Sequence, residues 1–171
     1  MTRRLLTLCI LTAATMLASC TTAPKVERLH VEGTALMNES GDTVELKGMS
    51  FGWNCLWPRF YNADAVRHVV QDWDAEIVRA AIGVELRAGE NQAKCYLDDP
   101  DFGKQCACTI VDAAIANGVY VLVDWHAHGL HTDAAVEFFT YMADINGFVT
   151  RNRWCFVAFI DGFNFFITDN E

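Results

Sequence analysis

Val111-Asp112-Ala113-Ala114-Ile115-Ala116-Asn117-Gly118-Val119-Tyr120-Val121-Leu122-Val123-Asp124-Trp125-His126 is the stretch on which the reading of the fold turns. Its first half continues a helical pattern in which Cys106, Ile110, Val111, Ala114 and Ile115 recur three to four positions apart. Gly118 stands where a helix needs a residue free to turn left-handed, so the helix, predicted over about 102–116, ends there. Residues 119–125 follow as an almost unbroken apolar run, the pattern of a strand covered on both faces. The run then ends abruptly in Asp124, Trp125 and His126. A helix feeding a buried strand that ends in polar side chains is one βα step of a parallel sheet.

The same grammar extends upstream. Residues 76–84 read as a second doubly covered strand, interrupted by Arg79, and a helix over about 63–73 precedes it with Asn62 as its N-cap. Ala65, Val66, Val69, Val70 and Trp73 make the apolar face of that helix. Further back, residues 29–37 and 42–50 read as strands around a turn at 39–42, and Thr43 to Lys47 alternate with a period of two. An aromatic loop, Phe51 to Trp57, follows, with Phe60 and Tyr61 beyond it. Downstream, Thr132 can cap a helix that turns Ala135, Val136, Phe138, Phe139, Met142 and Ala143 inward. The expected class is therefore α/β, with about three βα units between 44 and 147.

Composition agrees with a folded chain. Of 171 residues 52% are hydrophobic and three are proline, which excludes a disordered polymer. A formal charge of −9 excludes a general nucleic-acid binder, because phosphate contacts need a surplus of lysine and arginine. The N-terminus has a separate logic. Arg3 and Arg4 precede an apolar run from Leu5 to Leu17 and then Ala18-Ser19-Cys20. That run is shorter than the ~20 residues of a membrane-spanning helix and has the layout of an export signal. Its ending resembles the lipobox of bacterial lipoproteins, so residues 1–19 are expected to be removed and Cys20 lipidated. Residues 20–28 would then tether the protein to the bilayer of the bacterial cell envelope, on its periplasmic or surface face. Five cysteines follow Cys20, namely Cys55, Cys95, Cys106, Cys108 and Cys155. An odd number leaves at least one unpaired or bridging to another chain, and their pairing stays open. One residue separates Cys106 from Cys108, too few for a zinc-ligand pair.

In parallel α/β folds chemistry gathers at the carboxyl ends of the strands. Three features qualify: Trp53 and Trp57 after the first strand, Arg79 in the second, and Asp124-Trp125-His126-Ala127-His128 ending the third. A guanidinium in an apolar strand needs a partner, usually a carboxylate, which serves a structural ion pair as well as a catalytic site. His126 would project into the mouth of a site or serve as a hydrogen-bonded structural histidine. The clustered rings suit either a core or stacking on the CH-rich faces of sugars.

Taken in order, Leu46-Lys47-Gly48-Met49-Ser50, Asp72-Trp73 before Ile77-Val78-Arg79-Ala80-Ala81, and the stretch ending in Asp124-Trp125-His126 resemble glycoside hydrolase family 5, the cellulase-type (β/α)8 barrel. The resemblance runs from about Leu29 to Gly147 and includes Glu137-Phe138-Phe139. It implies an endo-β-1,4-glucanase of the retaining, double-displacement kind acting on cellulose or another β-glucan; mannan- and xylan-active members share the same N-terminal motifs. It further implies that Arg79 orients the nucleophilic glutamate, that His126 lines the subsite beside the scissile bond, and that Trp53 is a stacking residue. No cofactor or metal is called for. The histidine usual after the first strand has no counterpart, since the chain reads Ser50-Phe51-Gly52 there.

The resemblance places the acid/base glutamate in an Asn-Glu-Pro motif ending the fourth strand and the nucleophile at the end of the seventh. An Asn-Glu pair is expected near 158–159, where the chain reads Ala158-Phe159. Asn170-Glu171 comes about twelve residues late and lacks the proline, which leaves Glu171 as the acid/base candidate in the chain. Residues 148–171 hold seven of the twenty aromatic residues and do not follow the family, although Asp161-Gly162 is a hairpin signal. The expectation is the N-terminal portion of a barrel, truncated before both catalytic glutamates by a shifted frame after about 147 and inactive alone. Two other readings remain at this stage. One is a non-catalytic, lipid-anchored remnant with weak glycan binding. The other takes Asp124-x-His126-x-His128 as a metal-binding strand like that of the amidohydrolases.

Overall fold

The computed structural model describes residues 26–86 and 93–144, together with the backbone of 155–160 and 164–166. Two short strands open it, β1 (Leu29–Glu32) and β2 (Ala35–Asn38), paired antiparallel with Leu29 opposite Asn38. Then come β3 (Gly48–Trp53), a 3-10 turn at Pro58–Phe60, α1 (Ala63–Trp73), β4 (Ile77–Gly83), α2 (Pro100–Asn117), β5 (Tyr120–His126), α3 (Thr132–Asp144), β6 (Cys155–Ile160) and β7 (Asn164–Phe166). The main sheet has the order β3-β4-β5-β6-β7, parallel from β3 through β6, with β7 antiparallel to β6. Spatial order follows chain order and each step between β3 and β6 passes through a helix. That is an arc of a (β/α)8 barrel, and among the described strands it does not close.

Local chemistry accounts for the helices. Asn62 caps α1 by accepting from the Ala65 N–H at 2.9 Å, and Asp99 caps α2 by accepting from the Phe102 N–H at 3.1 Å with Pro100 behind it. Gly118 ends α2 in the left-handed region (φ 67°), its N–H reaching the Ala114 and Ile115 carbonyls. Alternation along the strands sorts the two faces. Val78, Ala80 and Ile82 of β4, with Val121, Val123 and Trp125 of β5, pack against Val66, Ile110 and Phe138 of the helices. Tyr120 and Ile77, at the amino ends of their strands, pack with Val26, Leu29 and Leu46, so the β1–β2 hairpin covers the end opposite the strand exits.

The first strands depart from expectation. The segment 29–37 is not one strand but a hairpin that turns at Gly33 (φ 61°). Of the segment 42–50, Thr43 makes a single bridge to Met37 and only Gly48 onward is strand. The strand begins there because only glycine fits: a Cβ on Gly48 would lie 1.7 Å from the Ile77 carbonyl oxygen. It continues to Trp53, so the aromatic loop starts three residues later than its composition suggests. Trp73 and Val136, expected on the inner faces of their helices, are exposed (57% and 61%). In the tail, β6 takes the place of a fourth barrel strand beside β5, with Ala158 opposite Asp124 and Phe159 opposite Trp125. The hairpin expected around 161–162 corresponds to the antiparallel pairing of β6 with β7.

Candidate active site

The carboxyl ends of β3, β4 and β5 lie side by side, and the side chains opposite the helix layer converge there. Ser50 pairs in register with Arg79 and Arg79 with Leu122, so Ser50, Arg79 and Asp124 share one face. Asp124, wholly buried, is the hub. Its Oδ2 accepts from Arg79 Nη2 and from His126 Nδ1 at 2.8 Å, and Arg79 Nη1 donates to Ser50 Oγ at 3.0 Å. Arg79 Nη2 also lies 2.9 Å from His126 Nδ1, two donors brought together on the one carboxylate oxygen. With Nδ1 turned to the carboxylate, Nε2 is the imidazole atom left to meet a ligand. Arg79 and His126 remain 26% and 22% exposed as side chains, so the network opens on its outer side.

Trp53 reaches this face through an irregularity. Ser50 pairs with Arg79 but Trp53 pairs with Ala81, so Phe51 and Gly52 together stand opposite the single residue Ala80. This β-bulge sends Phe51 into the helix-side core and turns Trp53 to the side of Ser50. Gly52 supplies the required positive φ of 70°. Tyr61 Oη sits between the carbonyls of Gly52 (2.6 Å) and Ala81 (2.8 Å) and fixes the bulge; burial pushes its phenol pKa up. The Trp53 ring lies 4.6 Å from the His126 ring and 5.3 Å from the His128 ring, centre to centre. Trp57 lies further out, 44% exposed, with the Arg59 guanidinium 5.1 Å from its ring centre.

The loop after β5 is held from below by a carboxylate. Glu85, just past β4, accepts from the His128 and Gly129 backbone N–H groups at 2.8 and 2.7 Å and faces His131 Nε2 at 3.0 Å. On β3's exit, buried Asn54 receives the Gly83 N–H at 2.9 Å and donates its own backbone N–H to the Ala81 carbonyl at 3.0 Å. The rim is thus rigid on two sides.

Arg79, His126 and Trp53, singled out from sequence, therefore come together. Cys20 and Glu171 lie outside the described residues. Asp124 belongs with the first group, although the sequence reading gave it a role of its own only as a metal ligand. That metal-binding reading is not supported: the Arg79 guanidinium lies where a cation beside Asp124 and His126 would sit, and no group of three His, Cys, Asp or Glu side chains among the described residues could hold a metal. Reading missed Ser50 and Glu85, which carry no signal of their own. Asp124 did carry one, because it is the other lone charge in an apolar strand beside the strand of Arg79.

Residues 37–154 match the family model Cellulase (glycosyl hydrolase family 5), a few residues beyond the resemblance read to Gly147. Endoglucanase Z of Dickeya dadantii is 38% identical over 124 residues, covering 69% of this chain and 27% of that protein. Endoglucanase MaCel5A of a Microbulbifer species is 33% identical over 132 residues, covering 70% of this chain and 23% of that protein. The catalytic domain of Thermobifida fusca endoglucanase Cel5A, in a variant complexed with cellotetraose, superposes with a TM-score of 0.65 at 26% identity over 77% of this chain and 42% of that domain. The chain spans about a quarter of the length of the curated relatives it matches. Fold, strand order and sequence agree: this chain belongs to glycosyl hydrolase family 5.

Proposed function

We propose that the rim formed by β3, β4 and β5 is the β-glucan-binding part of a retaining endo-β-1,4-glucanase. The observation that carries this reading is the placing of a stacking ring, Trp53, against His126 beside the Arg79–Asp124 pair, at the carboxyl ends of parallel strands. A flat indole suits the CH-rich face of a glucosyl unit, and the adjacent imidazole and guanidinium suit its hydroxyls. In the double displacement of this reaction class, two carboxylates ~5–5.5 Å apart act as nucleophile and acid/base. Arg79 has the reach and charge to orient such a nucleophile, and His126 to line the subsite beside the scissile bond. The complex of the Thermobifida fusca domain with cellotetraose supports the choice of ligand. Titrating cellotetraose against tryptophan fluorescence tests it: Trp53→Ala should weaken binding about tenfold, equivalent to ~1.4 kcal/mol. An unchanged affinity in Trp53→Ala and His126→Ala overturns the assignment.

We further infer that the protein is exported and held on the cell envelope by a lipid on Cys20, on the strength of Arg3-Arg4, the apolar run and Ala18-Ser19-Cys20. Incorporation of labelled palmitate that Cys20→Ser abolishes is the expected result; equal labelling of the variant refutes it.

A further inference from the structure

Two cysteines stand beside the glycan-binding rim on different loops. Cys55 belongs to the turn that leaves β3, where the Leu56 and Trp57 N–H groups bond to the Trp53 carbonyl at 3.1 and 2.8 Å. Cys95 sits in the turn leading into α2, where its carbonyl accepts from the Asp98 and Asp99 N–H groups at 3.0 Å each. Both are buried, and their sulfurs lie 2.6 Å apart. The neighbourhood is shaped for them. Tyr96 and Leu97 continue the backbone pairing of β4 through the Gly83 and Val84 carbonyls, at 2.9 and 3.1 Å, which fixes Cys95 against the sheet. Gly83 clears the space between: a Cβ there would come within 2.7 Å of the Cys55 sulfur and 2.8 Å of the Trp53 ring.

We propose that Cys55 and Cys95 form an intramolecular disulfide that staples the turn after Trp53 to the turn before α2. Two turns pinned by their own hydrogen bonds with sulfurs this close meet the placement a disulfide needs, whose own bond is ~2.05 Å. The bond closes a span of 40 residues across α1 and β4. Cys108 is apart from the pair, its sulfur against that of Met142 at 3.9 Å. Cys106 is buried on α2, where burial pushes its thiol up to about 11. The oxidant is a small-molecule disulfide such as glutathione disulfide. One cysteine thiolate attacks it and releases one small thiol; the second attacks the mixed disulfide, forms the protein S–S bond and releases the other. Two protein thiols lose two protons and two electrons, and the oxidant gains them. Burial raises both protein thiol pKa values, so the exchange belongs to folding, before the turns close. In the cell this bond rests on the export proposed above; its test does not.

The full chain is refolded in a glutathione redox buffer, unfolded, alkylated and digested with trypsin. A linked pair of peptides spanning 48–59 and 95–104 is expected, lighter by two hydrogens than the separate pair and released by reductant. Reductant should lower the Tm of the oxidised protein by roughly 10 °C and leave Cys55→Ser/Cys95→Ser unmoved. Recovery of both peptides alkylated, or of Cys55 linked to Cys106, overturns the proposal. Neither result bears on glucan binding, which the cellotetraose titration reads separately.

Discussion

Replacing Asp124 by alanine probes the centre of the site without touching the helix-side core. The carboxylate is wholly buried and serves two donors at once, Arg79 Nη2 and His126 Nδ1. Truncating one partner of a buried ion pair costs ~3–5 kcal/mol, because the other charge is left where water does not reach it. Here Arg79 keeps Ser50 Oγ at 3.0 Å and about a quarter of its side chain in contact with solvent, which relieves part of that penalty. The expected loss is therefore at the lower end, about 3 kcal/mol. A chain of this size moves by ~2–4 °C per kcal/mol, so Tm should fall by roughly 6–12 °C. Asp124→Asn keeps an acceptor for Arg79 and should fall about half as far. Asp112, exposed on α2, is the control: Asp112→Ala should stay within ~0.5 kcal/mol of the parent protein. Thermal unfolding followed by far-ultraviolet circular dichroism measures all three. Should Asp124→Ala melt within 2 °C of the parent, ~0.5–1 kcal/mol at most, the carboxylate is not the anchor of the site and the argument fails.

Three further outcomes follow from other contacts. Lys104, and then Tyr96 Oη, donate to Glu137 and hold its carboxyl below the ordinary glutamate range. Its contribution is complete above that range and is lost as pH falls through the lowered value, so the stability gap between the parent and Glu137→Gln should close under acid. Half of the side chain is exposed, so the gap is below about 1 kcal/mol; a gap that widened on acidification would reverse the sign of the argument. Gly48→Ala should break the β3–β4 pairing, since the new methyl lands on the Ile77 carbonyl, costing about 3 kcal/mol in urea unfolding; a neutral result would show that β3 can shift. Finally, Cys106, whose thiol burial raises to about 11, should resist iodoacetamide at neutral pH until the protein unfolds, as read by mass spectrometry; rapid modification of the native protein would contradict its burial.

Legibility followed the length of the local signal. Helices α1 and α2 were readable because each has a cap and a repeating apolar face: Asn62, Gly118 and the spacing of Ile110, Val111 and Ala114 decide them before any tertiary contact. Strands β4 and β5 were readable because both faces are covered and, Arg79 aside, the apolar run is unbroken up to the strand exits. The first strands were not, because the alternation in 43–47 reflects an extended chain lying on β2, where the Val44 N–H reaches the Leu36 carbonyl at 2.7 Å, rather than membership of the sheet. At the site, Arg79 stood out as a charge within an apolar strand and His126 as a polar residue ending one. The bond from Arg79 to Asp124 did not, because it depends on the register between two strands 45 residues apart. The carboxylate was in plain view; the pairing was not. Val136 and Trp73 mark a converse limit, since an apolar residue at the edge of a helical stripe is often left outside.

The bulge in β3 has a consequence beyond its own turn. Phe51 and Gly52 make this strand one residue longer than its neighbour over the same rise, and that surplus decides which side of the sheet receives the indole. Loss of a single codon there would leave the composition of the segment almost unaltered, yet it would turn Trp53 toward the helix layer and take the indole away from His126. The make-up of this rim is thus written in residue count as much as in residue identity. A comparison that scores only matched letters, and treats a one-residue gap as neutral, would pass over the change that decides where the indole lies.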